Sequence, residues 1–520
     1  MEQITGIGPS DWVTIDARRE PDGQCLVRDN GERLSFARVS SDVARLAASL
    51  REQGLKKGDR LAVMAIDSVE YVELILASMR IGAVVIPLNF RLTVDEVTNL
   101  LGATEPAAFF ASARYADALA SAKGELSHCL KFVGGVDAEV PGATASVHEL
   151  ISSFHGEGIM EGCTSDEDIL ALPLTSGTTG TPKGVLQSQR MIKAVTMQGV
   201  VELRLMPDDF AYSGAPMFHI SGMGHIFYQL ARGSSSLILP QFEVNTVLDW
   251  MQNGGLTRCM LIPSMVISLL EHPDVRKSSY ENIRAIMYGG APIAPSVIRQ
   301  MIEIFGCDLF NGFGAGTEAG GQAMFNPEDH RRALAGEEAL LGSIGKPIFG
   351  VDLKLCDEDG NEVPRGSVGE IHTRSDTVMS GYLNQPELTA ASFNDGWFHA
   401  GDMAYVDESG YLHLEGRRDD MIIRGGENVY PVEIEDTLSD HPSIREVAVI
   451  GLTDSYWGEI VAAVVVVRPG STIDLETLRA HCEGRIATYK IPTRLEVVES
   501  LPKNPTGKIL KRQLRISLAP

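Results

Sequence analysis

The apolar residues Phe36, Val39, Val43, Leu46, Ala47 and Leu50 recur at three- and four-residue steps, which places them on one face of a helix. Ser35 or Ser41 offers an N-cap and Gly54 a stop. The unbroken apolar run "RLAVMAI" then reads as a buried strand, residues 69–81 as a second amphipathic helix, and "AVVIPL" as the next strand. Apolar strands joined by helices imply a parallel sheet covered by helices. The same unit recurs around "SSLILP", "RCMLIP" and "IRAIMYGG", and "ILALPL" also reads as a strand.

Beyond residue 350 the period drops to two. "VDLKLCDEDGNEVPRGSVGEIHTRS" and "AYVDESGYLHLEG" predict hairpins around acidic, glycine-containing turns. After the polar "GRRDD", the strands "EVAVIGL", "EIVAAVVVV" and "TRLEVVE" and the helix "DLETLRAHCEGRI" form a unit large enough for a small domain. The expected class is therefore α/β: a large N-terminal domain of helix-covered sheets with a β-rich subdomain, then a small α+β C-terminal domain. The expected limits are 1–416, a hinge at 417–420, and 421–520.

A chain of 520 residues is too long for one core, which agrees with this division. Its net charge of −24, with no basic stripe, argues against nucleic acid and anionic membrane as partners. The seven cysteines are odd in number and form no CxxC, so buried reduced thiols in a cytoplasmic protein are expected rather than disulfides or zinc. The opening "MEQITGIGPSDWV" lacks the basic and apolar regions of a signal peptide. The longest apolar run, 460–467, falls far short of the ~20 residues of a membrane helix.

The densest chemistry lies in "LPLTSGTTGTPKGV". Glycines let backbone N–H groups converge on an oxyanion. Thr175, Ser176, Thr178, Thr179 and Thr181 add hydroxyl donors, and Lys183 adds a positive charge. The common phosphate loop G-x-x-x-x-G-K-[ST] is absent, because Pro182 precedes the lysine and Gly184 follows it.

"TSGTTGTPKGV" resembles the signature of the adenylate-forming superfamily, which includes acyl-CoA synthetases, peptide-synthetase adenylation domains and firefly-type luciferases. "PMFHISGM", "YGGAPI", "GTEAG", "GYLNQPELT", "WFHAGD", "GRRDDMIIRGGENVYPVEIE" and "NPTGKILKR" resemble further motifs of that family, in the family order and across the whole chain. The resemblance implies a two-step reaction with ATP, Mg²⁺ and CoA. A carboxylate attacks the α-phosphate and releases pyrophosphate; a thiol then attacks the acyl-adenylate and releases AMP.

The resemblance also assigns residues. Thr175, Ser176, Gly177, Thr178, Thr179, Gly180 and Lys183 match the triphosphate loop. Gly290, Ala291 and Pro292, with Asn311, Gly312 and Thr317, match the nucleotide site. Asp402 matches the carboxylate that accepts both ribose hydroxyls, Arg417 a nucleotide-contacting arginine, and Glu318 the Mg²⁺ ligand. Alanine stands at position 400, where the family usually has threonine. Lys508 matches the catalytic lysine that bridges carboxylate and α-phosphate. In the family the small domain rotates between the two steps. Asp419 matches the pivot, and Gly425, Gly426 and Glu427 match the loop that lines the pantetheine tunnel.

The stretch "NGFGAGTE" departs from the family pattern aromatic-Gly-x-Thr-Glu. Strict spacing puts Gly314 in the adenine-stacking position, so either the shelf is lost or one residue is inserted and Phe313 supplies it. Insertion, with Phe313 as the shelf, is the expectation carried forward. His219 stands where amino-acid adenylation domains carry an aspartate for the substrate ammonium, which disfavours an amino-acid substrate. It instead resembles the gating residue of fatty-acyl and aryl-CoA ligases. The acyl pocket is expected around His219, Gly222, Met223, Tyr288, Gly289, Gly314 and Ala315. These small and apolar surroundings suit a hydrophobic fatty or cinnamate-like acid. The acceptor is CoA or, alternatively, a carrier protein. A homodimer is compatible with the sequence.

Overall fold

The computed structural model describes residues 6–175, 183–290, 293–425, 427–454, 456–503 and 509–518, with the side chain of Asp419 excepted. Strands among the described residues form two nine-stranded and two five-stranded sheets. The first nine-stranded sheet is parallel at its centre, where Gln24–Arg28, Ser235–Ile238, Phe210–Ser213, Arg258–Leu261, Ala285–Gly289 and Asp308–Phe313 lie side by side. Antiparallel strands close both of its edges. The second nine-stranded sheet is built around Val84–Pro87, Arg60–Met64, Ala108–Ala111 and Phe132–Gly135, also parallel.

The two sheets share one helical layer. Leu26 and Ile238 of the first sheet and Leu61, Val63 and Phe110 of the second belong to the same core, together with Leu46, Leu74 and Phe227 from helices between them. Side chains alternate across each strand, so Val27 and Met64 serve separate outer cores. The helix predicted over 36–50 spans Phe36–Glu52, and its cap is Ser35, whose side chain accepts from Arg38 N–H at 3.2 Å. Val69–Arg80 was expected to bury one face but is buried nearly all round, Glu73 and Arg80 included, because it lies in the layer between the sheets. Arg80 Nη1 donates to the Ile159 carbonyl, and Nη2 to Thr14 Oγ1 and the Ser10 carbonyl. The single strand expected at "ILALPL" is two, Ile169–Ala171 and Leu174–Thr175, because Pro173 brings no N–H to the ladder.

The β-rich region is a five-stranded antiparallel sheet containing both predicted hairpins, Asp352–Cys356 with Gly369–Arg374 and Trp397–Val406 with Leu412–Arg417. The last sheet pairs Ile444–Asp454 with Gly458–Val467 antiparallel, and Arg494–Val497 joins it in parallel. Helices Pro431–Ser439 and Lys511–Leu518, which the sequence reading passed over, complete this unit. All seven cysteines are free, but only four are buried; Cys129, Cys163 and Cys307 keep partial exposure. No helix among the described residues is long and apolar enough to cross a membrane.

Candidate active site

Lys183 opens the strand Lys183–Ser188 and faces Thr175 in the register of the neighbouring strand. Ser176, Gly177, Thr178, Thr179 and Gly180, between them, lie outside the described residues. On the other side of Lys183–Ser188 runs Gly381–Tyr382. Lys183 Nζ sits 5.5 Å from the centre of the Tyr382 ring, a cation–π distance. Tyr382 lies in a motif noted in the sequence but had been given no role.

The Tyr382 hydroxyl donates to Glu318 Oε1 at 3.4 Å. Glu318 lies in the short helix Gly316–Ala319, which is pinned from two sides. Gln187 Nε2 donates to the Thr317 carbonyl at 2.9 Å, and Met379 N–H donates to the Glu318 carbonyl at 2.7 Å. Burial pushes the Glu318 carboxyl above its ordinary range, while Arg417, the Tyr382 hydroxyl and Lys183 pull it back. A buried carboxylate held up by desolvation gains most from an added cation, so the donor chemistry fits Mg²⁺.

Asp402 and Arg417 are direct cross-strand partners, with Arg417 Nε 2.9 Å from Asp402 Oδ1. Arg417 Nη1 also donates to the Ala400 carbonyl at 3.1 Å. The small side chain at position 400 thus takes part through its backbone.

Gly289 and Gly312 are paired across adjacent parallel strands, and a Cβ on Gly289 would lie 2.7 Å from the Gly312 carbonyl oxygen. Gly290 follows at φ +86°. Ala291 and Pro292 lie outside the described residues. Asn311 is the cross-strand neighbour of Tyr288. Tyr288 is 1% exposed, with its ring in the second core and its hydroxyl 2.9 Å from His330 Nε2. It offers a ligand little but backbone. At Gly314 a Cβ would stand 2.1 Å from the Gly320 carbonyl oxygen, so no side chain fits there. Phe313, the last residue of its strand, is half-buried against the cluster of Ala323, Leu355, Ile371, Ala404 and Leu412. Ala315 is buried.

His219 is the N-cap of Ile220–Arg232; its Nδ1 accepts from Ser221 N–H at 3.2 Å. Burial lowers its pKa, so the ring is neutral near pH 7 with Nδ1 as acceptor, which leaves the proton on Nε2. A Cβ on Gly222 would lie 2.3 Å from the Pro216 carbonyl oxygen, so the helix start is pressed onto that backbone. Met223 is a core residue. Beside this motif stands a residue the sequence reading missed, Asp67. Its two carboxylate oxygens accept from Met217 N–H at 3.0 and 3.2 Å, and its surroundings push its pKa up to about 7. The signal was faint, a lone aspartate between a strand and a helix.

At the expected hinge, Arg418 Nη1 lies 2.9 Å from Glu370 Oε2 in the β-rich sheet, and Asp420 Oδ1 lies 3.1 Å from Arg515 Nη2 in the last helix. Asp419 stands between them in a single helical turn, Arg418–Asp420. Gly425 turns the chain at φ +61°, where a Cβ would meet the Trp457 ring at 2.9 Å, and Glu427 is exposed. Gly426 and Lys508 lie outside the described residues.

Among the described residues, Glu370, His372 and His399 form the one group of three with ligand atoms within 4.8 Å of one another. Arg418 already occupies Glu370, and the two imidazoles stack at 15°, so their in-plane lone pairs do not converge. The arrangement is an ion-pair network that ties Arg418 to the β-rich sheet.

The AMP-binding enzyme family matches residues 13–383, and the AMP-binding enzyme C-terminal domain matches residues 433–508. A feruloyl-CoA synthase of Amycolatopsis sp is 34% identical over 510 residues, covering 98% of both chains. A fatty acid–[acyl-carrier-protein] ligase, ScoC of Streptomyces coeruleorubidus, is 30% identical over 97% of this chain and 95% of its own. The ATP-bound crystal structure of MatB from Rhodopseudomonas palustris superposes with a TM-score of 0.89 at 29% identity, covering 98% of each chain. This chain belongs to the AMP-binding enzyme family, and the adenylate-forming fold and ATP-dependent acid–thiol ligase activity implied by its motifs stand with that membership.

Proposed function

We propose that this ligase activates a hydrophobic fatty or aryl acid and passes the acyl group to CoA, with the residue roles that follow. The observation that carries the reading is one linked series of charged and polar groups. Lys183 lies over Tyr382, Tyr382 on Glu318, Glu318 in the field of Arg417, and Arg417 on Asp402. Two cations and two carboxylates are thus linked in one site, the charges that a nucleotide triphosphate and its metal ion call for.

In the first step a carboxylate oxygen of the acid attacks the α-phosphorus, and the bond to pyrophosphate breaks. Lys183 and the loop before it hold the β- and γ-phosphates, and Asp402 accepts the ribose hydroxyls. Lys508 neutralises the two anions as they meet, a contact worth ~10²–10³ in rate. Mg²⁺ held by Glu318 would neutralise phosphate charge. Phe313 and the Gly289–Gly312 seam flank the adenine. In the second step the thiol sulfur attacks the acyl carbonyl, and AMP leaves with the bonding electrons. His219, neutral and with its proton on Nε2, stands at the entry to the acyl pocket as a gate. Asp419 is the pivot between domains 1–416 and 421–520, and the loop at Gly425 and Glu427 takes up the pantetheine arm.

The ScoC similarity favours a second reading, a carrier-protein acceptor in place of CoA. Free thiols fit a reducing, cytoplasmic setting, and a homodimer is compatible with it. The test is a panel of fatty and aryl acids assayed for AMP release with ATP and either CoA or a holo-carrier protein. Release with CoA and a hydrophobic acid is expected. Release only with the carrier protein supports the second reading, and none with any acid overturns both.

A further inference from the structure

A polar relay runs from the buried interior to the nucleotide site, and it begins at a histidine that the reaction does not use. His330, in the helix Pro327–Leu334, is 1% exposed. Its Nδ1 lies 2.7 Å from the Asn326 carbonyl oxygen, and its Nε2 lies 2.9 Å from the Tyr288 hydroxyl. Burial lowers its pKa to about 4, so near pH 7 the ring is neutral and carries one proton. A carbonyl oxygen only accepts, so that proton is on Nδ1. Nε2 is then an acceptor, and the Tyr288 hydroxyl donates to it.

With its one proton committed to His330, the Tyr288 oxygen can only accept from its other neighbour. That neighbour is Asn311, its partner across adjacent parallel strands. Burial pushes the Tyr288 hydroxyl up, and a hydrogen bond from the Asn311 side chain opposes the shift. A hydrogen bond that lowers a phenol's pKa comes from a donor, so Asn311 presents an N–H to Tyr288. The amide nitrogen is thereby turned to Tyr288, and the amide oxygen is left for another partner. An amide without a fixed neighbour can present either end, because its oxygen and nitrogen are nearly equal in size. The relay removes that choice. Asn311 is also only half-buried, unlike Tyr288 and His330, and it precedes Gly312, half of the seam assigned to the adenine. It is the one member of the three that a ligand can reach.

We propose that His330 is a positioning residue for base selection: acting through Tyr288, it fixes the Asn311 amide with its oxygen towards the base, where it accepts from a purine 6-amino group. The class selected is the 6-aminopurine nucleotide. A 6-oxopurine presents an oxygen at the same place, and two acceptors then face each other. Turning the amide to suit it sets the Asn311 oxygen against the Tyr288 oxygen, whose proton is held by His330. Either arrangement leaves a hydrogen bond unmade, which corresponds to about tenfold or more in affinity.

This inference rests on the placing of adenine at this seam in the proposed function, so the test separates the two. Calorimetric Kd values for AMP and IMP, which differ only at position 6 and in the proton on the adjacent ring nitrogen, are measured on the full chain. Wild type should bind AMP about tenfold or more tighter than IMP. Tyr288→Phe keeps the buried ring and removes the hydroxyl; His330→Phe keeps a ring and removes the acceptor that commits that hydroxyl. In both variants the amide is free to turn. AMP affinity should then stay within about threefold, IMP should bind more tightly, and the ratio should fall by about tenfold. A merely structural role would weaken both nucleotides together, and that result overturns the proposal. So does equal affinity in wild type, or a wild-type ratio kept in Tyr288→Phe, which decides even if His330→Phe fails to fold. Asn311→Ala judges the underlying reading. If it leaves the AMP affinity and the ratio unchanged, the base does not lie at this seam and both fall. If it loses the ratio while Tyr288→Phe keeps it, the base lies there and the relay alone is overturned.

Discussion

Arg417 Nε lies 2.9 Å from Asp402 Oδ1 across two adjacent strands, and the same guanidinium reaches the Ala400 carbonyl. The two side chains fix each other, and in the role proposed for Asp402 this presents the carboxylate to a ribose in one orientation. Asp402→Asn keeps the shape but removes the charge and one acceptor. Hydrogen bonds to charged groups contribute ~1.5–3 kcal/mol, so the KM for ATP should rise about 10- to 100-fold while the KM for the acid stays within about twofold. Arg417→Lys should resemble it, because a lysine cannot span Asp402 and the Ala400 carbonyl together. Steady-state kinetics with each substrate varied in turn checks both.

Tyr382 gives the site a pH signature. Its hydroxyl is one of the groups that lower the Glu318 pKa against the upward push of burial. Tyr382→Phe removes that donor, so Glu318 protonates at a higher pH and the acidic limb of the adenylation rate should move towards neutrality. Saturating Mg²⁺ should suppress the shift, since a bound cation keeps the carboxylate ionised. An acidic limb unmoved at low Mg²⁺ would separate Tyr382 from Glu318.

Phe313 tests the reading of "NGFGAGTE". Gly314 has no room for any side chain, which leaves Phe313, the residue after Gly312, as the proposed shelf. Its ring also packs on Ala323, Leu355 and Ala404, so Phe313→Ala mixes lost packing with lost stacking. Phe313→Leu keeps the apolar fill and removes only the π face. Stacking on a base is worth roughly 1–3 kcal/mol, so the KM for ATP should rise about tenfold with little change in Tm. A fall in Tm without a change in that KM would mark Phe313 as structural.

Much of this was legible in advance, for a physical reason. Period-two and period-3.6 patterns report which face of an element is buried, so both hairpins and the helix capped by Ser35 followed from the sequence. The pattern misled where burial was two-sided. Val69–Arg80 lies between two sheets, and the guanidinium of its buried Arg80 bonds partners distant in the chain, Thr14 Oγ1 and the Ile159 carbonyl. Site residues within motifs could be named one by one. Tyr382 and Asp67 could not be assigned, because their roles depend on partners, Glu318 and Met217, that only the fold brings near.

Asp67 carries a stability prediction. Its pKa rises from 3.8 to about 7, chiefly through burial, although Met217 N–H and Arg91 oppose the shift. A carboxyl whose folded pKa exceeds its unfolded value binds more protons in the folded state. Its ionisation therefore costs the fold stability as pH rises from about 4 through 7. Asp67→Asn keeps an oxygen to accept from Met217 N–H and cannot ionise. Its Tm relative to wild type should be higher at pH 8 than at pH 5. An equal difference at both pH values would show that Asp67 does not titrate in this window.

The hinge carries the last prediction. Arg418 is held by Glu370 of the β-rich sheet, and Asp420 is held by Arg515 of the final helix, so the two neighbours of Asp419 are tied to opposite sides of the proposed boundary. In the proposed mechanism, rotation between the two steps then concentrates in the backbone of Asp419. A proline there fixes φ near −65° and allows only one of two backbone states. Asp419→Pro should keep pyrophosphate release from acid and ATP but lose thioester formation by ~10²-fold or more, of the order seen when a conformational step that completes a site is blocked. Lys508→Ala should do the reverse, losing pyrophosphate release but still converting supplied acyl-adenylate to thioester. If both variants lose both half-reactions equally, the two steps do not use separate domain positions. If Asp419→Pro turns over normally, the pivot lies elsewhere.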